Sequence, residues 1–557
     1  MNRNAPFSFD LAPHETMSRS TFDDKSHSHK TSFNVGDLIP IYLDQDILPG
    51  DTVSIKTTSL VRMQTLLDPI MDDIFLDTYF FFIPYRILWD HTKEFFGENT
   101  SAPWIQSVVY TIPQIEAPAS TGWSTGTIAD YMGLPVGVPG ISVSALPFRA
   151  YAKCCTEWFR SENLSYPCDC PTDDTTITGV NTGDQVTDIV KGGLPFKAAK
   201  YKDYFTACLP SPQKAADTLL PLGNFAPVFT GDINNNPVSK LPMTFRKLDG
   251  TTFGGSTADL SAVFHVEPND PDAQLLIDAS KVASSDVTIS TYPNNLYADL
   301  AQATGSSVNQ LRLAFQLQKQ AELEARSGSR YRELVRSAFG TISPDARMQI
   351  PEYLGGSRVR INVQSVTQSS ESGSTPMGHQ SAYSVTVDSH GDFSKSFTEH
   401  GILLGLAVAR YHHSYQQGLS RGWSRKTKYD FYWPMLANIG EQAVLRKEIY
   451  CSGTQADDDS VFGYNEAWAD YRYTSNRVSG EMRSDASTSL DSWHLADDYA
   501  SAPQLSDQWI REDKSTVDRT LAVTSAVSNQ LFGDFYFDCK YTRVMPVYSI
   551  PGLIDHH

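Results

Sequence analysis

The segment 421–433 carries the side chains best suited to contact another molecule. It interleaves basic and aromatic residues: Arg421, Trp423, Arg425, Lys426, Lys428, Tyr429, Tyr432 and Trp433. Proteins that bind single-stranded nucleic acid without sequence preference use cations to contact the phosphates and aromatic rings to stack on the bases. Arg, Trp and Tyr are also enriched at protein–protein interfaces. The sequence therefore leaves two interpretations open for this segment, a nucleic-acid surface and a subunit interface.

Two other polar clusters have simpler interpretations. Asp457–Asp459 and Asp470 offer the oxygen ligands that a hard cation such as calcium prefers, but the spacing of an EF-hand is absent. We interpret them as a solvated acidic loop. His27 and His29 are alternate residues that could face one ligand, and we interpret them as part of a polar arm that enters the first strand. His412–His413 lacks the HExxH spacing and is interpreted as the end of a strand. No metal site and no cofactor are predicted.

Motifs of catalysis are missing from the sequence. There is no GxSxG motif, P-loop or GxGxxG motif in a strand-then-helix context. Carboxylates are plentiful, but none is singled out as a catalytic pair. A glycosidase stays open as the enzyme alternative, because its two acids need no local motif. We predict a protein that is not an enzyme.

The seven cysteines indicate free thiols rather than a zinc site or a disulfide framework. Cys154 and Cys155 are adjacent, and Cys168 and Cys170 flank one residue. No two CxxC motifs occur, which argues against a zinc ribbon. We expect reduced thiols in a cytoplasm.

The chain is acidic, with a formal net charge of −19 over 557 residues. Because phosphate binding depends on Lys and Arg, the chain by itself is not expected to neutralise a genome. Residues 1–30 have no apolar core of a targeting signal. The longest apolar run, 401–409, is too short to span a bilayer. We predict a protein without membrane insertion, made in a cytoplasm.

Both ends of the chain have the alternating pattern of β-strands. Val53 and Ile55 alternate with polar residues, and the apolar run Tyr79–Ile83 predicts a strand covered on both faces. Val359, Ile361 and Val363 alternate in the same way. Near the C-terminus the residues of one predicted face are Phe535, Phe537, Cys539 and Tyr541.

The middle of the chain has a different character. Residues 87–220 and 296–356 are predicted to be partly helical, and 221–295 is polar and rich in turn residues, typical of an exposed loop module. One helix is predicted to begin with Asn309 as its N-cap. A second helix is predicted to end at Gly340, a residue typical of helix C-termini. Its apolar residues lie on one face: Tyr331, Leu334, Val335, Ala338 and Phe339.

These patterns predict a mainly β protein with a single β-sandwich closed by distant segments, rather than serial domains. The predicted parts are an N-terminal arm (1–29), a core (30–86 and 357–557), two partly helical insertions (87–220 and 296–356) and a surface loop (221–295). No internal repeat is detected.

A series of sequence blocks resembles the major capsid proteins of the Gokushovirinae, a lineage of small single-stranded-DNA phages within the Microviridae. The blocks occur in order along nearly the whole chain: Ser26–Gly36, Leu38–Tyr42, Leu48–Asp51, Leu76–Pro84, Val143–Tyr151, Lys197–Phe205, Ser343–Arg347, Pro351–Gly356, Gly422–Arg425, Asp430–Pro434 and Tyr548–Leu553. The stretch 221–295 contains no such block.

The resemblance implies a fold and a set of partners. It implies an eight-stranded jelly roll that assembles, as an icosahedral homo-oligomer, into a T=1 shell of a virion around circular single-stranded DNA. It also implies a small basic DNA-binding protein as a partner and a protrusion at the threefold axes that binds a host surface receptor. We place this protrusion at 221–295, with Asn234, Asn235, Asn236, Gly254 and Gly255 as candidate attachment residues. A phage adhesin or lectin-like β-sandwich is the binding-module alternative.

Overall fold

The structure is a computed structural model. It describes residues 18–99, 108–216, 218, 307–373 and 375–548, together with six three-residue strands between 228 and 298. The chain divides into two compact units, one made of residues 1–214 and 322–557 and the other of residues 215–321. Each unit is described by itself.

Long strands dominate the described part of the first unit. In chain order, the strands of five residues or more are β1 (His27–Phe33), β2 (Asp37–Ile47), β3 (Thr52–Met63), β4 (Ile74–Pro84), β5 (Glu352–Arg360), β6 (Val363–Thr367), β7 (Gln380–Ser384), β8 (Thr386–Ser396), β9 (Gly401–Tyr411), β10 (Glu441–Leu445), β11 (Val461–Glu466) and β12 (Leu531–Arg543). With 30% strand and 21% helix, the structure confirms the prediction of a mainly β protein.

Two antiparallel sheets form the core of this unit. The first has the order β1–β12–β3–β8, and the short strand Ser20–Phe22 also pairs with β12. The second has the order β5–β4–β9–β2, with Phe196–Lys197 beyond β2. Neither sheet closes on itself. Strands from the two ends of the chain therefore lie side by side in both sheets.

Alternation along the strands builds the core between the two sheets. In β12 the predicted face of Phe535, Phe537, Cys539 and Tyr541 is buried, and the residues between them point outward. In β3, Val53 and Ile55 are buried in the same cluster as Phe80 from the second sheet. Burying an aromatic side chain removes a large apolar area from water, which is the main stabilising contribution here.

The central strands of the second sheet are buried on both faces. β9 is buried at almost every position, and β4 at most positions. Phe81 and Ile402 point away from the first sheet into a second cluster that includes Phe148 and Trp123 from the insertion after β4. The continuous apolar run 79–83 was predicted to be covered on both sides, and it is, because this insertion packs over the outer face.

The other described elements are helices, single turns and short strands. The helices are α1 (Leu146–Cys154), α2 (Val308–Ser327) and α3 (Tyr331–Phe339), with four-residue helices at Thr92–Phe95, Ile128–Tyr131, Arg446–Ile449, Gln455–Asp458, Asp507–Ile510 and Ser515–Asp518. Single turns of 3₁₀-helix lie at Tyr85–Ile87, Ile189–Lys191, Arg421–Ser424, Lys428–Asp430, Pro434–Leu436, Ala469–Tyr471, Gly480–Met482 and Asp491–Trp493, and a π-turn at Cys155–Phe159 continues α1. Short strands lie at Gln114–Glu116, Ser142–Ser144, Ile177–Thr178, Ser414–Tyr415, Asn476–Arg477 and Ala496–Asp497.

In the second unit, the described short strands form three antiparallel pairs. Val228–Thr230 pairs with Leu296–Ala298, Phe245–Lys247 with Thr291–Pro293, and Phe264–Val266 with Leu275–Ile277. The sequence Val263–Val266, which ends before Pro268, predicts a short strand, and Phe264–Val266 in the last pair confirms it. None of the described helices is both long and apolar enough to cross a bilayer.

Two details of the helices differ from the sequence predictions. The helix predicted to begin with Asn309 as its N-cap begins at Val308, and Ser307 caps it: the Ser307 hydroxyl accepts a hydrogen bond from the backbone N–H of Gln310 (3.2 Å). The prediction was wrong because Asn and Ser are equally good caps and both stand at the helix start. α3 ends at Gly340 as predicted, with φ at 68°, but its apolar stripe contains no buried residue.

Candidate functional site

The segment 421–433 is held by tight turns in the described part of the chain. Its elements are the 3₁₀ turns Arg421–Ser424, Lys428–Asp430 and Pro434–Leu436. One Asp430 oxygen accepts hydrogen bonds from the backbone N–H groups of Lys426 (2.8 Å) and Thr427 (2.6 Å). These bonds favour the charged carboxylate, so they lower the pKa of Asp430.

Arg421 is tied to the protein rather than directed at solvent. Its guanidinium donates to the carbonyl of Ala443 (2.8 Å) and lies 3.9 Å from the carboxylate of Glu448. Glu448 is buried, and this burial raises the pKa of its carboxyl group, although Arg421 opposes the shift. The Tyr204 hydroxyl donates to the same carboxylate (2.8 Å). Arg421 therefore anchors the start of the segment.

Arg425 also interacts with other side chains of the protein. It forms an ion pair with Asp470 and lies over the ring of Tyr471, 4.4 Å from the centroid, with the Phe431 ring 5.5 Å away on the same segment. Its side chain is mostly buried. A guanidinium paired and stacked in this way stabilises the local fold, which limits its availability to a phosphate.

Lys426 and Lys428 are differently placed. Within the described residues, neither ammonium group has a hydrogen bond or salt bridge to a carboxylate, and Lys428 lies over the ring of its neighbour Tyr429 at 4.8 Å. Both side chains are exposed. These two lysines are the basic groups of the segment with charge directed to solvent.

The aromatic side chains of the segment form a broad exposed surface. Trp423 is 80% exposed, and Trp433 is exposed although its indole N–H donates to the carbonyl of Lys428 (2.7 Å); Met435, just after the segment, is exposed beside them in sequence. The Tyr432 ring packs against the buried Trp468, with the two ring centroids 5.8 Å apart. An exposed apolar surface of this kind indicates a contact with another molecule.

The structure divides the basic and aromatic residues of the segment by role. The predicted nucleic-acid residues are Arg421, Trp423, Arg425, Lys426, Lys428, Tyr432 and Trp433. Arg421 and Arg425 hold the segment, while Lys426, Lys428 and Trp423 face outward. The partners Asp470 and Glu448 were not predicted from the sequence, because they follow at a distance along the chain with no local motif. The predicted attachment residues, Asn234, Asn235, Asn236, Gly254 and Gly255, lie outside the described residues.

The acidic cluster does not converge on a common point. Asp458 accepts hydrogen bonds from the backbone N–H groups of Ser452 (2.7 Å) and Gly453 (3.0 Å), Asp459 pairs with Lys447, and Asp470 pairs with Arg425. His27 stacks against Tyr42, with ring centroids 5.5 Å apart. No group of three or more potential metal ligands occurs in the residues that the structure describes.

The described interior contains a charged cluster around His413 that no sequence pattern predicted. His413 is buried between Asp497, 2.9 Å from its Nδ1, and Glu512, 3.0 Å from its Nε2. Burial alone would lower the pKa of His413, but the two carboxylates raise it to about 9. The carboxylates lie 84 and 99 residues further along the chain, so no spacing in the sequence indicates this cluster.

Comparison with known proteins gives a match to one family. The model of the phage family described as "Capsid protein (F protein)" matches residues 12–553. Among curated proteins, the chain is 44% identical over 532 residues to Capsid protein VP1 of Spiroplasma virus 4, covering 94% of each chain.

Two further relatives cover nearly the whole chain. Capsid protein VP1 of Bdellovibrio phage phiMH2K is 38% identical over 564 residues, covering 99% of this chain and 98% of the relative. Capsid protein VP1 of Chlamydia phage 1 is 38% identical over 594 residues, covering 98% and 97%.

Proposed function

Because the chain belongs to the phage capsid protein (F protein) family, it is a major capsid protein of a virion, and we propose that its copies close into a T=1 icosahedral shell around a circular single-stranded DNA genome. The resemblance to gokushovirus capsid proteins is confirmed by the three relatives. The observation that carries the proposal is the match of the family from residue 12 to residue 553. The function is structural, and no catalytic residue is proposed.

For the fold, we propose an eight-stranded jelly roll made of β1–β5, β8, β9 and β12. The strand order supports it, because the first sheet runs β1–β12–β3–β8 and the second β5–β4–β9–β2. Successive strands of this set alternate between the sheets, except that β4 and β5 are neighbours in one sheet. Two sheets connected in this way are typical of jelly rolls, which are common in viral capsids.

The proposed domain plan has the jelly roll at 30–86 and 357–557 and an arm at 1–29, except that β1 and β5 extend the jelly roll to His27 and Glu352. Partly helical insertions occupy 87–220 and 296–356. A protrusion at 221–295 extends outward and binds the host receptor, with the attachment residues predicted above. The separate compactness of residues 215–321 supports a distinct role for this part of the chain.

We also propose two partners inside the particle. A net charge of −19 per subunit calls for basic groups to hold a DNA polyanion. A small basic DNA-binding protein supplies most of them. The segment 421–433 lies on the inner wall and supplies a local contact, with Lys426 and Lys428 near phosphates and Trp423 stacked on a base.

The alternatives considered from the sequence predict different particles. A lectin-like adhesin or a glycosidase would be a monomer or a small oligomer with one deep cleft. The test is negative-stain microscopy of the purified protein. Uniform, closed icosahedral particles support the shell, and a preparation containing only small oligomers contradicts it.

A further inference from the structure

The hairpin of β6 and β7 stands apart from the two core sheets. β6 pairs with β7 in the register Val363 to Ser384, and no second strand pairs with β6 in the described part of the chain. On the other side, β7 meets Leu66 through a single bridge at Ala382. Alternate residues of β6 therefore direct N–H and C=O groups away from β7. Such an edge is a template for another strand.

This edge lacks the protection that the sheet edges of the core carry. The edge strand β5 contains Glu352, Arg358 and Arg360, and the edge strand β8 contains Asp388, Asp392 and Lys395. β6 (VQSVT) and β7 (QSAYS) contain no charged residue. Charged side chains on an edge strand oppose pairing with a further strand. Of these edges, β6 is the one open to pairing.

One face of the hairpin is anchored and the other is free. Ala382 is buried in the main core, and Val363 packs against it. On the opposite face, Val366 is 47% exposed and Tyr383 is 48% exposed, with the Tyr383 hydroxyl donating to the side chain of Gln364 (2.6 Å). The hairpin thus has a fixed position and presents both an open edge and apolar side chains.

We propose that β6 pairs antiparallel with β6 of a second copy of this chain across a twofold axis, centred on Ser365. The proposal rests on the proposed shell, in which copies of the chain meet around symmetry axes. A twofold contact juxtaposes the same patch from both copies, so it must be self-complementary. An uncharged strand meets this condition without repulsion, whereas DNA or a basic protein would find no charge to bind here. In this register, residue 364 of one copy faces residue 366 of the other.

A cysteine at the centre of the register tests the contact directly. In Ser365→Cys, the two introduced thiols face each other, because directly opposed residues in an antiparallel pair have Cα atoms about 4.5–5.5 Å apart, within the range for a disulfide. Mild oxidation of purified particles should give a covalent dimer on a non-reducing gel. Ser369→Cys, in the exposed loop beyond β6, should give none. The parent chain measures the background from the exposed Cys451.

Charge substitution tests the register. Gln364→Lys with Val366→Lys places lysines opposite lysines, and like charges directly opposite destabilise a strand pair, so the particle yield should fall by about tenfold or more. Gln364→Lys with Val366→Glu places each new lysine opposite a new glutamate and should restore the yield. Thermal unfolding of the unassembled subunits shows whether each variant folds like the parent.

The outcomes distinguish an error in the proposed β6 contact from an error in the proposed shell. One outcome would contradict the β6 contact and leave the proposed shell unaffected. In that outcome the parent forms closed particles, Ser365→Cys gives no dimer, and both charge variants assemble like the parent. If the dimer forms but the Lys/Glu variant assembles as poorly as the Lys/Lys variant, the register centred on Ser365 is wrong. A parent chain that forms no particles contradicts the shell and the contact together.

Discussion

The basic residues of the segment 421–433 fall into two groups, those that hold the local fold and those that are free to bind another molecule. Composition predicted a basic and aromatic surface, and the structure places Trp423 and the two lysines on the outside. Composition could not predict that Arg425 pairs with Asp470, which lies 45 residues along the chain. Ion pairs of this kind depend on the tertiary fold.

For this reason the first prediction concerns Lys426 and Lys428. Lys426→Ala with Lys428→Ala should lower the amount of packaged DNA and leave subunit folding unchanged, because these side chains have no described carboxylate partner. Removing one lysine–phosphate contact should reduce the log–log salt slope of DNA binding by about one unit. The measurement is the DNA content of purified particles and the salt dependence of binding to a single-stranded oligonucleotide.

The matched control is Arg425→Ala, which should instead lower the thermal stability of the subunit by leaving Asp470 without its cation. Unchanged DNA content in the double lysine variant, together with weaker association of subunits, would assign this surface to a protein interface.

The second prediction concerns the buried His413. Its pKa is raised from the ordinary value of 6.5 to about 9, so the folded state binds a proton that the unfolded state releases. The resulting stabilisation is complete below pH 6.5 and is lost as the pH rises towards 9. Denaturant unfolding of the subunit as a function of pH should therefore show a decline across this interval.

His413→Gln removes the charge and should flatten this decline, and breaking a buried ion pair should cost about 3–5 kcal/mol in the free energy of unfolding. The exposed neighbour offers a control: His412→Gln should keep the pH dependence. An equal slope in the parent and in His413→Gln would show that the buried cluster does not set the pH dependence.

At the scale of elements, the strands were predictable and their partners were not. Alternation from Phe535 to Tyr541 predicted β12 and its buried face. Nothing in that pattern indicates that β12 lies between β1 and β3, whose residues are almost a whole chain length away. Periodicity reports which face is apolar, and pairing depends on the whole fold. α3 makes the same point, since its stripe is apolar and yet unburied in the single chain.

Two neighbours on β12 give the third prediction. Phe537→Ala removes a fully buried ring from the core between the sheets and should lower the free energy of unfolding of the subunit by about 3–5 kcal/mol. Tyr536→Ala changes the exposed face and should cost less than about 1 kcal/mol. Denaturant unfolding of the unassembled subunit measures both. Equal losses in the two variants would contradict the assigned faces.

At the scale of the whole molecule, the chain divides into a unit that contains the core sheets and a second compact unit. Residues 215–321 form a compact unit whose ends both return to the first unit along the chain. The sequence of 221–295 predicted a loop module with a short strand at 263–266, but it predicted neither how the described short strands pair nor the extent of the unit. Short strands with few alternating positions leave little signal in a sequence.

The fourth prediction follows from this division. Deleting 221–295 should leave particle assembly intact, because none of the described strands of the core sheets comes from it, and should reduce adsorption of the virion to host cells. A milder variant, with Asn234, Asn235 and Asn236 each changed to Ala, should assemble normally and show reduced adsorption. Particle counts by microscopy and adsorption counts are the measurements. Loss of particles on deletion would place this segment in the shell contacts.

The closed T=1 shell is tested most directly by an icosahedral reconstruction of the purified particle by cryo-electron microscopy. We predict one copy of the chain in each icosahedral asymmetric unit, with the two core sheets in the wall of the shell. A particle with several non-equivalent copies in the asymmetric unit, or an open tube or sheet of subunits, would contradict the proposed assembly.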